Sequence, residues 1–232
     1  MPPQSKQPTM IMLLGPNGAG KSTFYNTFFA DDPFFQKLTF INPDIIAKEL
    51  SGPEEDPNNY MFDAGKIAAT NLRMHLYEGE DFIYESTAAG RTPLNLLRLT
   101  KEYNYNTAVI FVGLSNPQLS YLRVQQRVRE GGHDIPAEDI ERRYPRILKN
   151  LPDLLIESDT SIVFDNSEKD PYQPIIMVDD ISITYFNKYP KWLRKDLADN
   201  EKFQEYIALK NSYTLKTSAN TIKQFLSKVQ QR

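Results

Sequence analysis

The stretch of sequence that decides the fold is Ile11-Met12-Leu13-Leu14-Gly15-Pro16-Asn17-Gly18-Ala19-Gly20-Lys21-Ser22-Thr23. Its first four residues are apolar, and from Gly15 onward it matches the phosphate-binding loop pattern of glycine, four residues, glycine, lysine and serine or threonine. In such a loop the glycines let successive backbone N–H groups face one anion, and the helix that follows contributes its positive end. The sequence therefore predicts a strand, a phosphate-binding loop and a helix, with a nucleoside triphosphate as the ligand.

The side chains at the end of this loop have separate expected roles. Lys21 is expected to reach the β- and γ-phosphates, and the hydroxyl group of Ser22 is expected to hold Mg²⁺. The rest of the loop is expected to surround the phosphates with backbone N–H groups. The predicted nucleotide-binding residues are Gly15, Pro16, Asn17, Gly18, Ala19, Gly20, Lys21, Ser22 and Thr23.

The composition narrows the classes of protein to which the chain can belong. It has 232 residues and a formal net charge of −3, which disfavours a dedicated nucleic-acid-binding protein. It contains no cysteine, so disulfides, thiolate zinc sites and a cysteine nucleophile are excluded and a reducing compartment is favoured. No apolar run approaches the roughly 20 residues of a membrane span. We expect a cytoplasmic protein with neither nucleic acid nor a membrane as a partner.

Strands and helices alternate along most of the chain. Short apolar runs predict strands, and each is followed by a segment whose apolar residues have helical spacing. Such alternation is typical of a parallel sheet flanked by helices. We therefore expect an α/β protein with the P-loop NTPase fold, built on a five-stranded, mainly parallel sheet. The predicted strands end near Leu14, Ile41, Glu85, Leu114 and Asp165.

The pattern predicts three parts along the chain. Residues 1–8 are expected to be a disordered tail, and residues 9–168 the P-loop domain, with a helical lid at about 121–150. Residues 169–232 are expected to form an extension, a hairpin plus helices, packed on this domain. In the predicted hairpin, Asp179-Asp180 is similar to the acidic end of a metal-binding ATPase strand, but aspartates are also common in turns, and the turn is the expected role.

Two acidic residues follow predicted strands at the edge of the sheet where ligands bind in open α/β folds. Asp44 follows the second strand and is expected to be the general base that takes the proton of an attacking hydroxyl group. Its alternative role is to cap the helix that begins near Ile45, and the two roles are compatible. Glu85 ends an apolar strand, where an unpartnered carboxylate is costly. It is expected to hold a substrate hydroxyl group or a Mg²⁺-bound water, or else to form a structural ion pair.

An arginine-rich helix–loop–helix segment predicts the lid. Arginines on a mobile segment can neutralise the charge that phosphoryl transfer spreads over the γ-phosphoryl oxygens. Gly131-Gly132 supplies a hinge in the connecting loop. Arg142 and Arg143 diverge by about 100° on a helix, so one of them is expected to face solvent. The arginines of this region are Arg123, Arg127, Arg129, Arg142, Arg143 and Arg146.

Together these segments resemble the zeta-toxin group of P-loop kinases over roughly residues 9–168. The best-known activity of that group is the ATP-dependent phosphorylation of UDP-N-acetylglucosamine. The lid sequence Gly131-Gly132-His133-Asp134-Ile135-Pro136 is similar to that of a divergent branch. The other segments that carry the resemblance are the phosphate-binding loop, Phe40-Ile41-Asn42-Pro43-Asp44, Ile83-Tyr84-Glu85-Ser86-Thr87, Gly90-Arg91-Thr92 and Lys149-Asn150-Leu151.

The resemblance implies roles for individual residues. It implies that Lys21 and Ser22 hold ATP and Mg²⁺, and that Asp44 activates the 3′-hydroxyl group of the sugar. It also implies that Arg127 and a later lid arginine, taken here as Arg143, stabilise the transferring phosphoryl group. Because toxins of this group are usually restrained by a small helical protein, a separate antitoxin is allowed as a partner. The residues implied to contact the acceptor are Glu85, Thr87 and Arg91.

Two functions of different classes fit the sequence. The first is an ATP-dependent kinase that acts on a hydroxyl group of a small molecule, with a nucleotide sugar as one candidate acceptor. The alternative is a regulatory or binding ATPase that is switched by its nucleotide. The arginine-rich lid favours the kinase. So does the segment Leu50-Ser51-Gly52-Pro53, which lacks the second glycine of the transporter-ATPase signature.

Overall fold

The structure is a computed structural model that describes residues 7–132, 134–214 and 221–230. The disordered tail expected over residues 1–8 falls almost wholly outside the described residues, and so does His133 of the predicted lid. In the described part of the chain, no helix has both the length and the apolar character that are needed to cross a membrane.

The strands form one sheet whose central part is parallel. In chain order they are Thr9–Leu14 (β1), Thr39–Ile41 (β2), Phe82–Ser86 (β3), Asn106–Gly113 (β4), Thr160–Asp165 (β5), Gln173–Val178 (β6), Ser182–Tyr185 (β7) and Asn211–Thr214 (β8). Across the sheet the order is β2-β3-β1-β4-β5-β6-β7-β8. All pairs among the first five strands are parallel, as expected from the alternation of strands and helices.

The predicted hairpin widens this sheet, so that it has eight strands among the described residues and not five. The open edge of β5 pairs with β6, and β6 pairs with β7, both antiparallel.

Asp179 lies in the turn between β6 and β7, where its Oδ1 atom accepts hydrogen bonds at 2.8 Å from both the backbone N–H and the hydroxyl group of Ser182. The turn role of Asp179-Asp180 is therefore confirmed. The pairing of β8 with β7 is not apparent from the sequence, because residues 211–214 lack an apolar run.

Helices cover both faces of the sheet. The side chains of β1 alternate between the faces, as the period of two requires. Met10 and Met12 pack on one side with Leu72 of the third helix, and Ile11 packs on the other side with Phe24 of the first. This confirms the α/β fold with helices on both sides. In chain order the helices are Lys21–Phe28 (α1), Pro43–Ser51 (α2), Met61–Glu78 (α3), Thr92–Glu102 (α4), Pro117–Arg129 (α5), Ala137–Glu157 (α6), Lys191–Leu193 (α7), Glu201–Ala208 (α8) and Thr221–Gln230 (α9).

The predicted lid corresponds to α5, α6 and the loop between them. Val124, Ile135 and Ile140 form a small apolar cluster of their own, separate from the two clusters that cover the sheet. This helix–loop–helix segment is therefore packed internally, and its arginines lie on its two helices.

Candidate active site

The phosphate-binding loop leaves β1 at the carboxyl edge of the sheet and ends where α1 begins at Lys21. Its conformation requires glycine at two positions in particular. Gly15 has a φ of +145°, and a Cβ atom there would lie 2.0 Å from the carbonyl oxygen of Val112 on β4. Gly20 has a φ of +92° and precedes the first residue of α1. The loop thus lies tightly against the neighbouring strand, and its final N–H groups are those that a helix start leaves without an intrahelical partner.

Lys21 is buried at the centre of this region. Its Nζ atom donates to the carbonyl oxygens of Gly15 at 3.0 Å and Pro16 at 3.2 Å, and lies 3.8 Å from Oε1 of Glu85. Burial lowers the pKa of Lys21, while the carboxylates of Glu85 and Asp44 oppose that shift. The ammonium group therefore lies where the loop, β3 and the start of α2 meet.

Glu85 is the penultimate residue of β3 and is only 7% exposed. Burial raises the pKa of its carboxyl group, and the charge of Lys21 acts in the opposite direction. Its Oε2 atom has no hydrogen-bond partner among the described residues. The ion pair with Lys21 accounts for one oxygen only. A hydrogen bond with Asn42 also acts against the rise in the pKa of Glu85.

Asp44 lies in the first turn of α2 and is exposed. It does not cap its helix, because Asn42 occupies that position. The Oδ1 atom of Asn42 accepts from the backbone N–H of Asp44 at 2.7 Å and from that of Ile45 at 3.4 Å. The alternative role of Asp44 as a cap is thus taken by a neighbour, and its carboxylate is left to face the cleft.

The cleft consists of two adjoining cavities, of about 410 and 230 Å³. We call them the phosphate side and the acceptor side. The phosphate side is lined by Ser22 and Thr23 of α1 and by Arg123 and Arg127 of α5. The acceptor side is lined by Thr87 and by residues of the lid and of the start of α3. The residues that line both sides are Asn17, Lys21, Asn42, Asp44 and Glu85.

The structure separates the two arginines that the sequence groups together. Arg127 lines the phosphate side, and Arg143 lines the acceptor side.

Arg143 donates to Oδ2 of Asp139 at 3.0 Å, while Arg142 pairs with the other oxygen of the same carboxylate. The side chain of Arg142 is 55% exposed, that of Arg143 is 33% exposed, and Arg142 lines neither cavity. The expectation that one of these two neighbours faces solvent is confirmed for Arg142, although both bind the same carboxylate.

Arg91 is not brought to the cleft. It is exposed, directly precedes α4 and lines neither cavity. The loop after β3 turns away at Ala88, whose φ is +62°. Asn150 of α6 holds the loop by donating to the carbonyl oxygens of Ala88 at 2.9 Å and Gly90 at 3.3 Å. This placement argues against the implied acceptor contact of Arg91.

Several residues of the site are not apparent from the sequence. Asn58, Met61 and Asp139 line the acceptor side although no motif marks them. Their positions depend on how α3 and the lid pack over the edge of the sheet. The sequence could have predicted the ion pair of Asp139 with Arg143, because the two residues lie four positions apart on one helix.

The family of the chain is shown by its sequence. A family model described as an AAA domain, AAA_33, matches residues 10–147. The chain belongs to this family. The matched region of the AAA_33 domain runs from β1 into α6 and contains the loop, Asp44, Glu85 and both Arg127 and Arg143.

Similar proteins place the AAA_33 domain among P-loop kinase-like folds. An uncharacterized protein of Haemophilus influenzae is 27% identical over 134 residues, covering 58% of this chain and 91% of the relative. The crystal structure of AvrRxo1-ORF1:-ORF2 with ATP has a TM-score of 0.61 at 15% identity, covering 75% of this chain and 59% of that one. This chain therefore spans less than two thirds of that structure. A structure from the PezAT chromosomal toxin–antitoxin system of Streptococcus pneumoniae has a TM-score of 0.56 at 19% identity, covering 87% and 88%. At such identities the likeness shows the fold.

Proposed function

We propose that the protein is an ATP-dependent kinase that transfers a phosphoryl group to a hydroxyl group of a small molecule. The observation that carries this proposal is the position of Asp44. Its exposed carboxylate lines both the side that holds the phosphate-binding loop and the adjoining acceptor side. A general base for phosphoryl transfer has to reach the attacking hydroxyl group next to the terminal phosphate.

The residues of the phosphate side fit ATP and Mg²⁺. The loop has no room for a Cβ atom at Gly15, where it would meet the backbone of Val112, or at Gly20, where it would meet the side chains of Asn166 and Tyr172. Ser22 is exposed and lines this cavity. Among the described residues no group of three or more acidic or histidine side chains could hold a metal ion. Mg²⁺ binds nucleotide sites through few protein ligands together with the phosphates, and the hydroxyl group of Ser22 would be such a ligand. When bound, Mg²⁺ neutralises negative charge on the phosphate oxygens.

Each charged residue then has a separate task. Lys21 binds the phosphates, and Arg127 stabilises negative charge on the transferring group from the phosphate side. Arg143 does so from the acceptor side, where Asp139 orients its guanidinium group. Asp44 accepts the proton of the acceptor hydroxyl group. These residues all lie in the P-loop domain proposed over residues 9–168, with its lid at about 121–150.

The acceptor side has polar groups that can bind a small molecule. Oε2 of Glu85 and the hydroxyl group of Thr87 offer hydrogen bonds to a polyhydroxyl compound on the acceptor side. The resemblance to zeta toxins makes UDP-N-acetylglucosamine the first acceptor to test. It also supports a toxin restrained by a separate antitoxin, as the PezAT toxin–antitoxin system illustrates. A cytoplasmic location, favoured by the lack of cysteine, belongs to the same proposal.

An acceptor screen tests the proposal against the alternative of a nucleotide-switched ATPase. The purified protein is incubated with ATP, Mg²⁺ and one candidate acceptor at a time, and products are scored by the mass of an added phosphoryl group. A kinase turns over little ATP alone and much more when the right acceptor is present. Hydrolysis of ATP at the same rate under every condition, with no phosphorylated product, would favour the switched ATPase.

A further inference from the structure

The segment after β5 reaches back to the phosphate-binding loop. Nδ2 of Asn166 donates to the carbonyl oxygen of Ala19 at 2.8 Å, and the hydroxyl group of Tyr172 donates to the carbonyl oxygen of Gly20 at 2.9 Å. Oδ1 of Asn166 in turn accepts from the backbone N–H of Tyr172 at 3.1 Å. Two residues that bind each other therefore hold two consecutive peptide groups of the loop. We call Asn166 and Tyr172 the clasp.

The clasp packs closely against Gly20 and against the first helix. A Cβ atom on Gly20 would lie 2.8 Å from Nδ2 of Asn166 and 3.1 Å from the hydroxyl oxygen of Tyr172. Tyr172 has a φ of +54°, a backbone conformation that residues other than glycine rarely adopt. Its ring packs edge-on against Phe24 and Phe28 of α1. The ring is thus fixed by packing and the hydroxyl group by its hydrogen bond.

The planarity of the peptide bond gives these contacts a consequence. In a trans peptide the carbonyl group and the following N–H group point in opposite directions. Holding the carbonyl oxygen of Ala19 therefore directs the N–H of Gly20. The carbonyl oxygen of Gly20 is held by the N–H of Phe24 at 2.8 Å together with the hydroxyl group of Tyr172, and this directs the N–H of Lys21. Both Gly20 and Lys21 line the phosphate side. At the start of α1 these N–H groups have no intrahelical partner and are free to bind an anion.

We propose that Tyr172, acting with Asn166, is a positioning residue that orients the N–H groups of Gly20 and Lys21 for phosphate binding. The proposal rests on the proposed binding of ATP. It also means that the extension beyond residue 168 completes the nucleotide site and is more than an appendage to it.

The test compares two tyrosine variants of the full chain. Y172F removes one hydroxyl group and keeps the ring that packs on α1. Its matched control is Y105F, because the hydroxyl group of Tyr105 also donates to backbone carbonyls, those of His75 at 2.6 Å and Glu80 at 2.9 Å. Tyr105 lies just before β4, at the opposite end of the parallel strands from the loop. Calorimetry measures the dissociation constants of ATP and of inorganic triphosphate, which has no base or sugar.

We expect Y172F to weaken the binding of both probes by the same factor, roughly 2- to 10-fold, as the loss of one hydrogen bond predicts. Y105F should bind both probes as the wild type does. The melting temperatures of Y105F and Y172F should fall by similar amounts, because each variant loses a buried hydroxyl group. Without ligand, the amide hydrogens of residues 19–22 should exchange faster in Y172F than in Y105F.

Two results would overturn the inference while leaving ATP binding intact. One is equal binding of inorganic triphosphate by both variants and the wild type. The other is a loss of affinity in Y172F for ATP but not for inorganic triphosphate, which would show that Tyr172 contacts the base or the sugar. If the wild type binds neither probe, the proposed function fails and this inference fails with it.

Discussion

The guanidinium group of Arg143 and the carboxylate of Asp139 are joined by a hydrogen bond of 3.0 Å between positions four residues apart on α6. The same carboxylate binds Arg142 through its other oxygen, and these contacts lower its pKa, the hydrogen bond from Arg142 most of all. Asp139 thus holds two adjacent arginines, of which only Arg143 lines the cleft. This arrangement supplies a matched pair of variants.

We expect R143A to lower kcat for the acceptor roughly 100-fold or more, the usual effect of removing one group that stabilises the transition state. R142A should stay within about 2-fold of the wild type, because an exposed ion pair contributes little. Steady-state kinetics at saturating ATP measures both. Equal losses in the two variants would show that Arg143 acts only through the stability of the lid, and melting temperatures would confirm that reading.

Lys21 is expected to be needed for nucleotide binding. In K21A the dissociation constant of ATP should rise roughly 10- to 100-fold, since hydrogen bonds to charged groups are the stronger ones. The control is K66A on α3, which removes an exposed lysine that pairs with Asp63 and lies over the ring of Phe62. Titration with ATP by calorimetry gives both constants. Unchanged binding in K21A would contradict the assignment of the loop.

Asp44 is expected to act in the chemical step and not in binding. D44N should lower kcat roughly 100- to 10,000-fold, the range that general bases contribute. The dissociation constant of ATP should change little. Glu49, an exposed carboxylate on the same helix, gives the control E49Q, which should retain full activity. Near-native phosphorylation by D44N would exclude Asp44 as the base.

Asp179 is expected to stabilise the fold in a pH-dependent way without a catalytic role. Burial opposes its ionisation, but hydrogen bonds from Lys228 and Ser182 outweigh burial and lower its pKa from 3.8 to about 2. Because the folded-state pKa is the lower one, the ionised group stabilises the protein above about pH 4. That contribution is lost as the pH falls from about 4 to about 2.

Urea unfolding of the wild type and D179N measures this effect. The difference in their free energies of unfolding should be largest above about pH 4 and should shrink toward about pH 2. At neutral pH, D179N should keep the turnover of the wild type. A large loss of turnover with an unchanged melting temperature would instead support the metal-binding role that the acidic pair mimics.

The contiguous parts of the site could be predicted from the sequence. The loop over residues 15–23 needs particular residues at adjacent positions, so a local pattern is enough to find it. Asp44 and Glu85 could be found because parallel strands bring their carboxyl ends to one edge. Arg91, whose acceptor contact is implied by the family resemblance alone, lies in the loop after β3 and lines neither cavity.

The sequence by itself determined that a phosphate-binding loop joins a buried strand to a helix, and that a parallel sheet gathers acidic residues near it. These features depend on short-range spacing. Only the tertiary structure decided that Arg143 and not Arg142 lines the cleft, and that Tyr172 holds Gly20 across a separation of 152 residues. Contacts between residues so far apart in the chain depend on how whole elements pack, and no local pattern encodes them.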